Sequence, residues 1–182
     1  MTPSRTLLAS GLALALAGTV SAQQRAGDAM PESYRQVQLR AQELQRRSLL
    51  AMVDSMPERL YRDKVTPIQR DFAQQIAHAA GSVPFIVARF MGVPAPQLPD
   101  TAASLNSRAG LRGYVNAVYD WAANVLRTQS AADRAATVNL FGTEVPRWQV
   151  WDELHQHTFW TTGQVVANFR KHGMAPPGFG FF

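Results

Sequence analysis

The 182-residue chain contains no cysteine. This absence excludes disulfide bonds, thiolate metal sites, a cysteine nucleophile and a lipid anchor on an N-terminal cysteine. A domain without such cross-links has to be held together by its hydrophobic core, and the chain is long enough to form one domain with a core of that size.

Long apolar runs are almost as scarce as cysteine. The one that stands out covers residues 7–20, which is shorter than the roughly 20 apolar residues that span a bilayer. Arg5 precedes this run, and the small residues of Val20-Ser21-Ala22 end it. A positively charged first segment, a short apolar segment and a small-residue cleavage site are the three parts of a secretory signal peptide. We therefore predict that residues 1–22 are a cleaved signal peptide. The mature protein is then secreted or periplasmic, with no membrane contact after cleavage.

Acidic residues are fewer than basic ones, with 13 Asp and Glu against 18 Lys and Arg, which gives a formal net charge of +5. Nucleic-acid-binding proteins concentrate such an excess in a patch, often interleaved with aromatic residues. Here the basic residues are spread along the chain without a dense run. We therefore expect a solvated basic surface and no nucleic-acid partner.

Four segments show the three- and four-residue apolar steps of amphipathic helices. A first helix is predicted from about Pro31 to Pro57, after a flexible tail over residues 23–32. A second should be capped by Thr66 and run to Met91, with Pro84 expected to kink or divide it.

The third predicted helix has Asn106 or Ser107 as its N-cap. The fourth is predicted from about Pro146 to His172, with Gly173 as its stop. Residues 130–145 form a connector with one short helical turn, and no strand is expected. The sequence thus predicts an all-α, antiparallel four-helix bundle over residues 33–178, followed by an aromatic tail over residues 179–182.

The fourth predicted helix carries an unusual stripe. One face holds Val150, Leu154, His157, Thr161, Gln164 and Asn168. Its second half is polar, and polar groups that face a core are costly unless they find partners. One interpretation is that the neighbouring face, with Trp148, Trp151 and His155, points inward instead. The other is a polar pocket between helices, a common place for ligand and metal sites in bundles.

Residues 157–177 contain, in order, a histidine, a Gly-Gln pair, Arg170-x-x-Gly173 and a Pro-Pro pair. This series resembles the closing motif of the DinB-like (DinB/YfiT) superfamily. The segment around His78, an apolar residue followed by histidine, is similar to the second-helix element of the same family. The resemblance covers roughly residues 33–178.

The resemblance implies a four-helix bundle, a possible homodimer and, in many members, a zinc or nickel ion held by three histidines. Carried over by position, the ligands are His78, His157 and, in the third place, Thr161. Threonine is a poor ligand for either metal compared with imidazole. Two hypotheses follow. The first is a degenerate metal site whose polar pocket, with Gln164 and Asn168, binds a small molecule or a protein partner. The second is a metal-dependent hydrolase or transferase that uses His78 and His157. No catalytic residue and no organic cofactor is assigned under either.

Overall fold

The computed structural model describes residues 30–178 and residue 180. The predicted signal peptide, residues 23–29 of the predicted tail over residues 23–32, and every aromatic residue of the 179–182 tail lie outside the described residues. Within the described part of the chain, no helix combines the length and the apolar character needed to cross a membrane.

Four long helices make up most of the described chain: α1 (Glu32–Ser55), α2 (Phe72–Met91), α4 (Arg108–Thr128) and α6 (Arg147–Lys171). The shorter elements are a 3-10 turn (Glu58–Leu60), α3 (Thr101–Ser104), α5 (Ala131–Ala135), β1 (Thr137–Leu140) and β2 (Thr143–Pro146). The four long helices therefore agree with the sequence prediction, whereas α3 and the two strands were not expected.

Helix α2 begins later than predicted. Asp71, not Thr66, is its N-cap: the Asp71 carboxylate accepts from the Gln74 backbone N–H at 2.8 Å, and the Gln74 side chain accepts from the Asp71 N–H at 3.1 Å. Thr66 only closes a turn, with its carbonyl accepting from the Gln69 N–H at 3.1 Å. Thr66 and Asp71 both have side chains that can cap a helix. The helix starts after Asp71, where Phe72 is fully buried.

Pro84 lies inside α2 without dividing it. Val83 and Val87, on either side of the proline, are almost completely buried. Packing of both halves on the core thus offsets the cost of a proline in a helix interior, which is about 3 kcal/mol. Elsewhere the predicted helix ends are confirmed, since Ser107 caps α4 and Gly173 adopts the left-handed conformation, with φ of 67°, just after α6.

The prediction that no strand is present is wrong. β1 and β2 pair antiparallel, with Thr137 opposite Pro146 and Leu140 opposite Thr143. Phe141 and Gly142 form the two-residue turn, both with positive φ, which is the conformation that joins tight hairpins. Strands of four residues are too short for their alternation to stand out in the sequence.

Each long helix packs against two of the others, and two of these four pairs are antiparallel. In the pair α1 and α4, Arg35 near the start of α1 donates to the Arg127 carbonyl near the end of α4 at 2.7 Å. In the pair α2 and α6, the Phe72 ring at the start of α2 lies 6.0 Å from the Phe169 ring near the end of α6.

The other two pairs are parallel. Tyr34 near the start of α1 donates to the Asp152 carboxylate near the start of α6 at 2.8 Å. Gln129, just after α4, contacts the sulfur of Met91 at the end of α2, at 3.7 Å. The predicted antiparallel bundle is therefore right for two pairs of neighbours and wrong for the two others.

The parallel pairing follows from the segment over residues 92–107. It starts where α2 ends and has to reach the opposite end of the bundle, where α4 begins, because Arg108 contacts Glu58 just after α1. Fully extended, the segment spans roughly 50 Å. The 20-residue helix α2 is about 30 Å long, so the segment is long enough to run back along the bundle.

Candidate functional site

The inward face of α6 lies between the two faces considered from the sequence. Its buried residues are Val150, Trp151, Leu154, His155, Thr158, Thr161, Val165, Asn168 and Phe169. His157 and Gln164 are only half-buried. The predicted stripe is therefore partly out of phase, and His155 is buried, as expected if the neighbouring face points inward.

His78 of α2 and His157 of α6 lie next to each other. Their ring centroids are 5.4 Å apart and the ring planes are inclined by 79°. One turn along the same interface, the Gln75 side-chain amide donates to the Gln164 amide oxygen at 3.2 Å. The antiparallel packing of α2 and α6 thus brings His78 and His157 together, whereas Gln164 lies about 10 Å further along α6 and contacts Gln75.

The two remaining candidates are buried, and one is far from the histidine pair. Thr161 lies one turn after His157 and is 2% exposed. Asn168 lies eleven positions after His157, about 16 Å along the helix. Its side-chain amide donates to the Asp63 carbonyl at 3.4 Å, in the connection before α2. Asn168 therefore contacts the connection before α2 at the end of α6, away from the histidine pair.

A cleft of about 450 Å³ opens beside His78. It lies between one face of α2 and the segment that crosses back along the bundle. Its lining residues are Arg70, Gln74, Ala77, His78, Gly81, Ser82, Phe85, Thr101 and Leu105. His157 lies behind His78 and is not part of this lining.

Most of these lining residues were missed in the sequence, although a signal for them exists. Gln74, His78, Gly81 and Phe85 follow one another at steps of three and four, so they share one face of α2, whereas Arg70 lies just before the helix. That face carries small and polar residues among more apolar ones. The contribution of Thr101 and Leu105 could not be read locally, because it depends on the path of the crossing segment.

The surroundings favour neutral imidazoles at both positions. Burial lowers the pKa of His78, and the positive charge of Arg70 and the neighbouring His157 lower it further. Burial and then Arg70 also lower the pKa of His157. The Nδ1 atom of His157 is buried and has no hydrogen-bond partner among the described residues. The pair therefore offers uncharged ring nitrogens, one of them unpaired.

The pair fits two ligands of one metal ion but not a three-histidine site. Two imidazoles that share a zinc ion at about 2.0–2.1 Å place their ring centres roughly 5 Å apart, close to the observed 5.4 Å. However, no group of three His, Cys, Asp or Glu side chains in the described part of the chain could hold a metal. The third position is Thr161, and Arg70 places a positive charge nearby. The donor set is thus incomplete for zinc or nickel.

Four long helices, with a histidine pair between the second and the last of them, define a helical-bundle domain. Residues 41–172, most of the chain, match the family model of the DinB superfamily, and the chain belongs to that superfamily. This finding confirms the resemblance seen in the closing motif.

The fold is also similar to a solved structure, that of a DinB-like protein from Bacillus cereus ATCC 10987. The TM-score is 0.59 at 18% sequence identity, and the match covers 78% of this chain and 94% of the other. At this identity the likeness concerns the fold. No curated protein matches the sequence.

Proposed function

We propose that this protein is an exported DinB-like domain whose cleft beside His78 and His157 binds a small molecule and holds no resident metal. The single observation that carries the proposal is the composition of the site. The neutral imidazole of His78 lines an open cleft and that of His157 packs against it, the third-ligand position is Thr161, and Arg70 supplies the only full charge of the cleft lining. Export is supported by the signal-peptide features of residues 1–22 alone.

Metal content tests the proposal directly. The mature protein is purified after growth with added zinc and nickel, and its metal is measured by elemental analysis together with that of His78→Ala and His157→Ala. We expect well under one ion per chain in all three proteins. A stoichiometric metal that disappears in both variants would contradict the proposal.

A gain of binding sharpens the same test. Thr161→His restores an imidazole one turn after His157, which completes a three-histidine set. We expect zinc affinity to rise by at least about tenfold over the native chain. Thr162→His is the matched control, because Thr162 lies on a neighbouring face and donates to the Thr158 carbonyl. Equal gains in both variants would show that position 161 does not face the pair. Circular dichroism checks that each variant is folded.

The second candidate function is a metal-dependent hydrolase or transferase with His78 and His157 as ligands. The ring separation of 5.4 Å favours it, since this spacing suits two ligands of one ion. It requires water or another external group in the place of the missing ligand. The two candidates are separated by the metal content of the native chain.

A further inference from the structure

The cleft beside His78 is positively charged and lined by no carboxylate. Arg70 is exposed and makes no ion pair or hydrogen bond with any described residue. Arg62, eight positions earlier in the same connection, differs in this respect because it pairs with Asp71 at 3.2 Å. The Arg70 guanidinium thus remains free to bind a group from solution.

The two carboxylates nearest in sequence to the lining residues are already engaged. Asp71 is buried and accepts from the Gln74 backbone N–H at 2.8 Å as well as pairing with Arg62. Asp100 caps α3 and accepts from the Ala103 backbone N–H at 3.0 Å. Neither belongs to the cleft lining, so the charge of Arg70 is not neutralised within the cleft.

The rest of the cleft combines a polar wall with an apolar one. His78 and Ser82 lie on the polar side, and the Ser82 hydroxyl donates to the His78 carbonyl at 2.7 Å. Phe85, 61% exposed, forms the apolar side with Ala77 and Leu105. The volume of about 450 Å³ lies in the range of small-molecule sites, roughly 300–1,000 Å³.

We infer that the cleft binds a small organic oxyanion, a carboxylate or a phosphate ester, with its charged end at Arg70 and its apolar part against Phe85. The inference rests on the proposed function and names the class of its ligand. A guanidinium binds either oxyanion through two parallel hydrogen bonds, which gives both affinity and orientation. His78, on the same wall, supplies a further ring N–H.

The imidazole signals of the full mature protein provide the readout. The chain has four histidines. His155 is buried in the bundle and His172 contacts Asp63 at 2.6 Å, so both serve as internal references for His78 and His157. Benzoate, phenyl phosphate and benzyl alcohol are titrated at constant ionic strength. We expect the His78 signals to shift and saturate with one or both anions, and benzyl alcohol to bind at least about tenfold more weakly.

Charge removal at Arg70 completes the experiment. Arg70→Gln should weaken binding of the anions by at least about tenfold, whereas Arg40→Gln, on an exposed position of α1 outside the cleft, should leave it unchanged. A preference for benzoate over phenyl phosphate, or the reverse, identifies the type of oxyanion.

Two results would overturn the inference, and they differ in their consequence for the proposed function. Equal binding of benzyl alcohol and the anions, with no effect of Arg70→Gln, would remove the anion preference and keep the small-molecule cleft. No shift of His78 with any of the three probes at millimolar concentration would overturn both the inference and the small-molecule part of the proposed function. In that case metal content would still decide whether the site is degenerate.

Discussion

Two histidines of α6, His155 and His157, lie two positions apart in the sequence and in different surroundings. His155 is 9% exposed, in the interface with α1, where the Gln45 side chain donates to its carbonyl at 3.0 Å. His157 is half-buried and packs against His78, which lines the open cleft. The same residue type therefore has two different consequences: inside the bundle it affects stability, and between α2 and the rest of α6 it supports the histidine that a ligand can reach.

The interior around His155 is unusually polar. Gln38, Gln42 and Gln45 of α1 are all at most 4% exposed. Both side-chain polar atoms of Gln42 and the Nε2 atom of His155 lack a partner among the described residues. Buried polar atoms are nearly always paired, often with ordered water. Helix α1 thus carries a layer of buried glutamines that contributes little apolar burial: Gln38 and Gln45 contact α6, and Gln42 lines a cleft with Tyr119 of α4. The bundle therefore depends more heavily on the apolar residues around this layer.

The largest effect should come from Trp151, one turn before His155 on the same inward face. Trp151 is fully buried and its indole N–H donates to the Gln129 side chain at 3.0 Å. Trp151→Ala removes a large buried side chain and should destabilise the fold by about 3–5 kcal/mol, measured by urea unfolding. A loss below about 1 kcal/mol would show that this face of α6 is not the structural one.

The next largest effect is expected at acidic pH, where His155 should reduce the free energy of unfolding and His157 should contribute less. Burial lowers the pKa of His155 from 6.5 to about 4. Between these values the unfolded chain binds a proton that the folded protein does not, so stability is highest above pH 6.5 and falls as the pH approaches 4. The loss from this one group should amount to about 3 kcal/mol.

Two matched variants test whether this loss of stability at acidic pH comes from His155. His155→Gln should flatten the pH dependence of unfolding between pH 6.5 and 4, whereas His157→Gln should leave most of it. The pKa of Asp63 is lowered from 3.8, chiefly by Lys171, so this carboxylate stays ionised in the folded protein and its contribution to stability is lost mainly below the window. An unchanged slope in His155→Gln would mean that His155 is solvated.

A smaller effect is expected at Gly81, on the cleft side of α2. A Cβ atom at this position would lie 2.6 Å from the hydroxyl oxygen of Tyr114 on α4. Gly81→Ala should therefore destabilise the fold by about 1–3 kcal/mol, even though alanine is the better helix former. In a Tyr114→Phe background the penalty should shrink, since the contacting oxygen is gone. Equal penalties in both backgrounds would place the clash elsewhere.

The smallest effect is expected for His157 itself. Its ring is half-buried and its buried Nδ1 atom has no partner to lose. We expect His157→Ala to change the free energy of unfolding by less than about 1 kcal/mol. A cost comparable to that of Trp151→Ala would show that His157 is a core residue and would remove the contrast with His155.

Helix existence could be predicted from the sequence better than helix boundaries or directions. The four long helices follow from apolar periodicity, but the start of α2 did not, because Thr66 and Asp71 both carry capping chemistry. Burial of Phe72 decides between them, and burial is a tertiary property. Helix direction depends on the path of residues 92–107, which the local pattern does not encode.

The candidate site was predictable to a similar extent. His78 and His157 lie next to each other, since α2 and α6 are one of the antiparallel pairs, and Gln164 contacts Gln75 in the same interface. Asn168 shares their helical face by spacing but lies too far along α6. Arg70 went unnoticed as a site residue because it precedes α2, and its position at the cleft depends on the bundle.

The pairing of α1 with α6 has a consequence for how the molecule assembles. Tyr34 and Asp152, which join these helices, are separated by 118 positions along the chain. The contacts between α1 and α6 therefore cannot form until α6 is present. Contacts of such high sequence separation slow folding. A ribosome would have to synthesise almost the whole polypeptide before the bundle could form, so a chain that stops before α6 would leave the glutamine layer of α1 open to water.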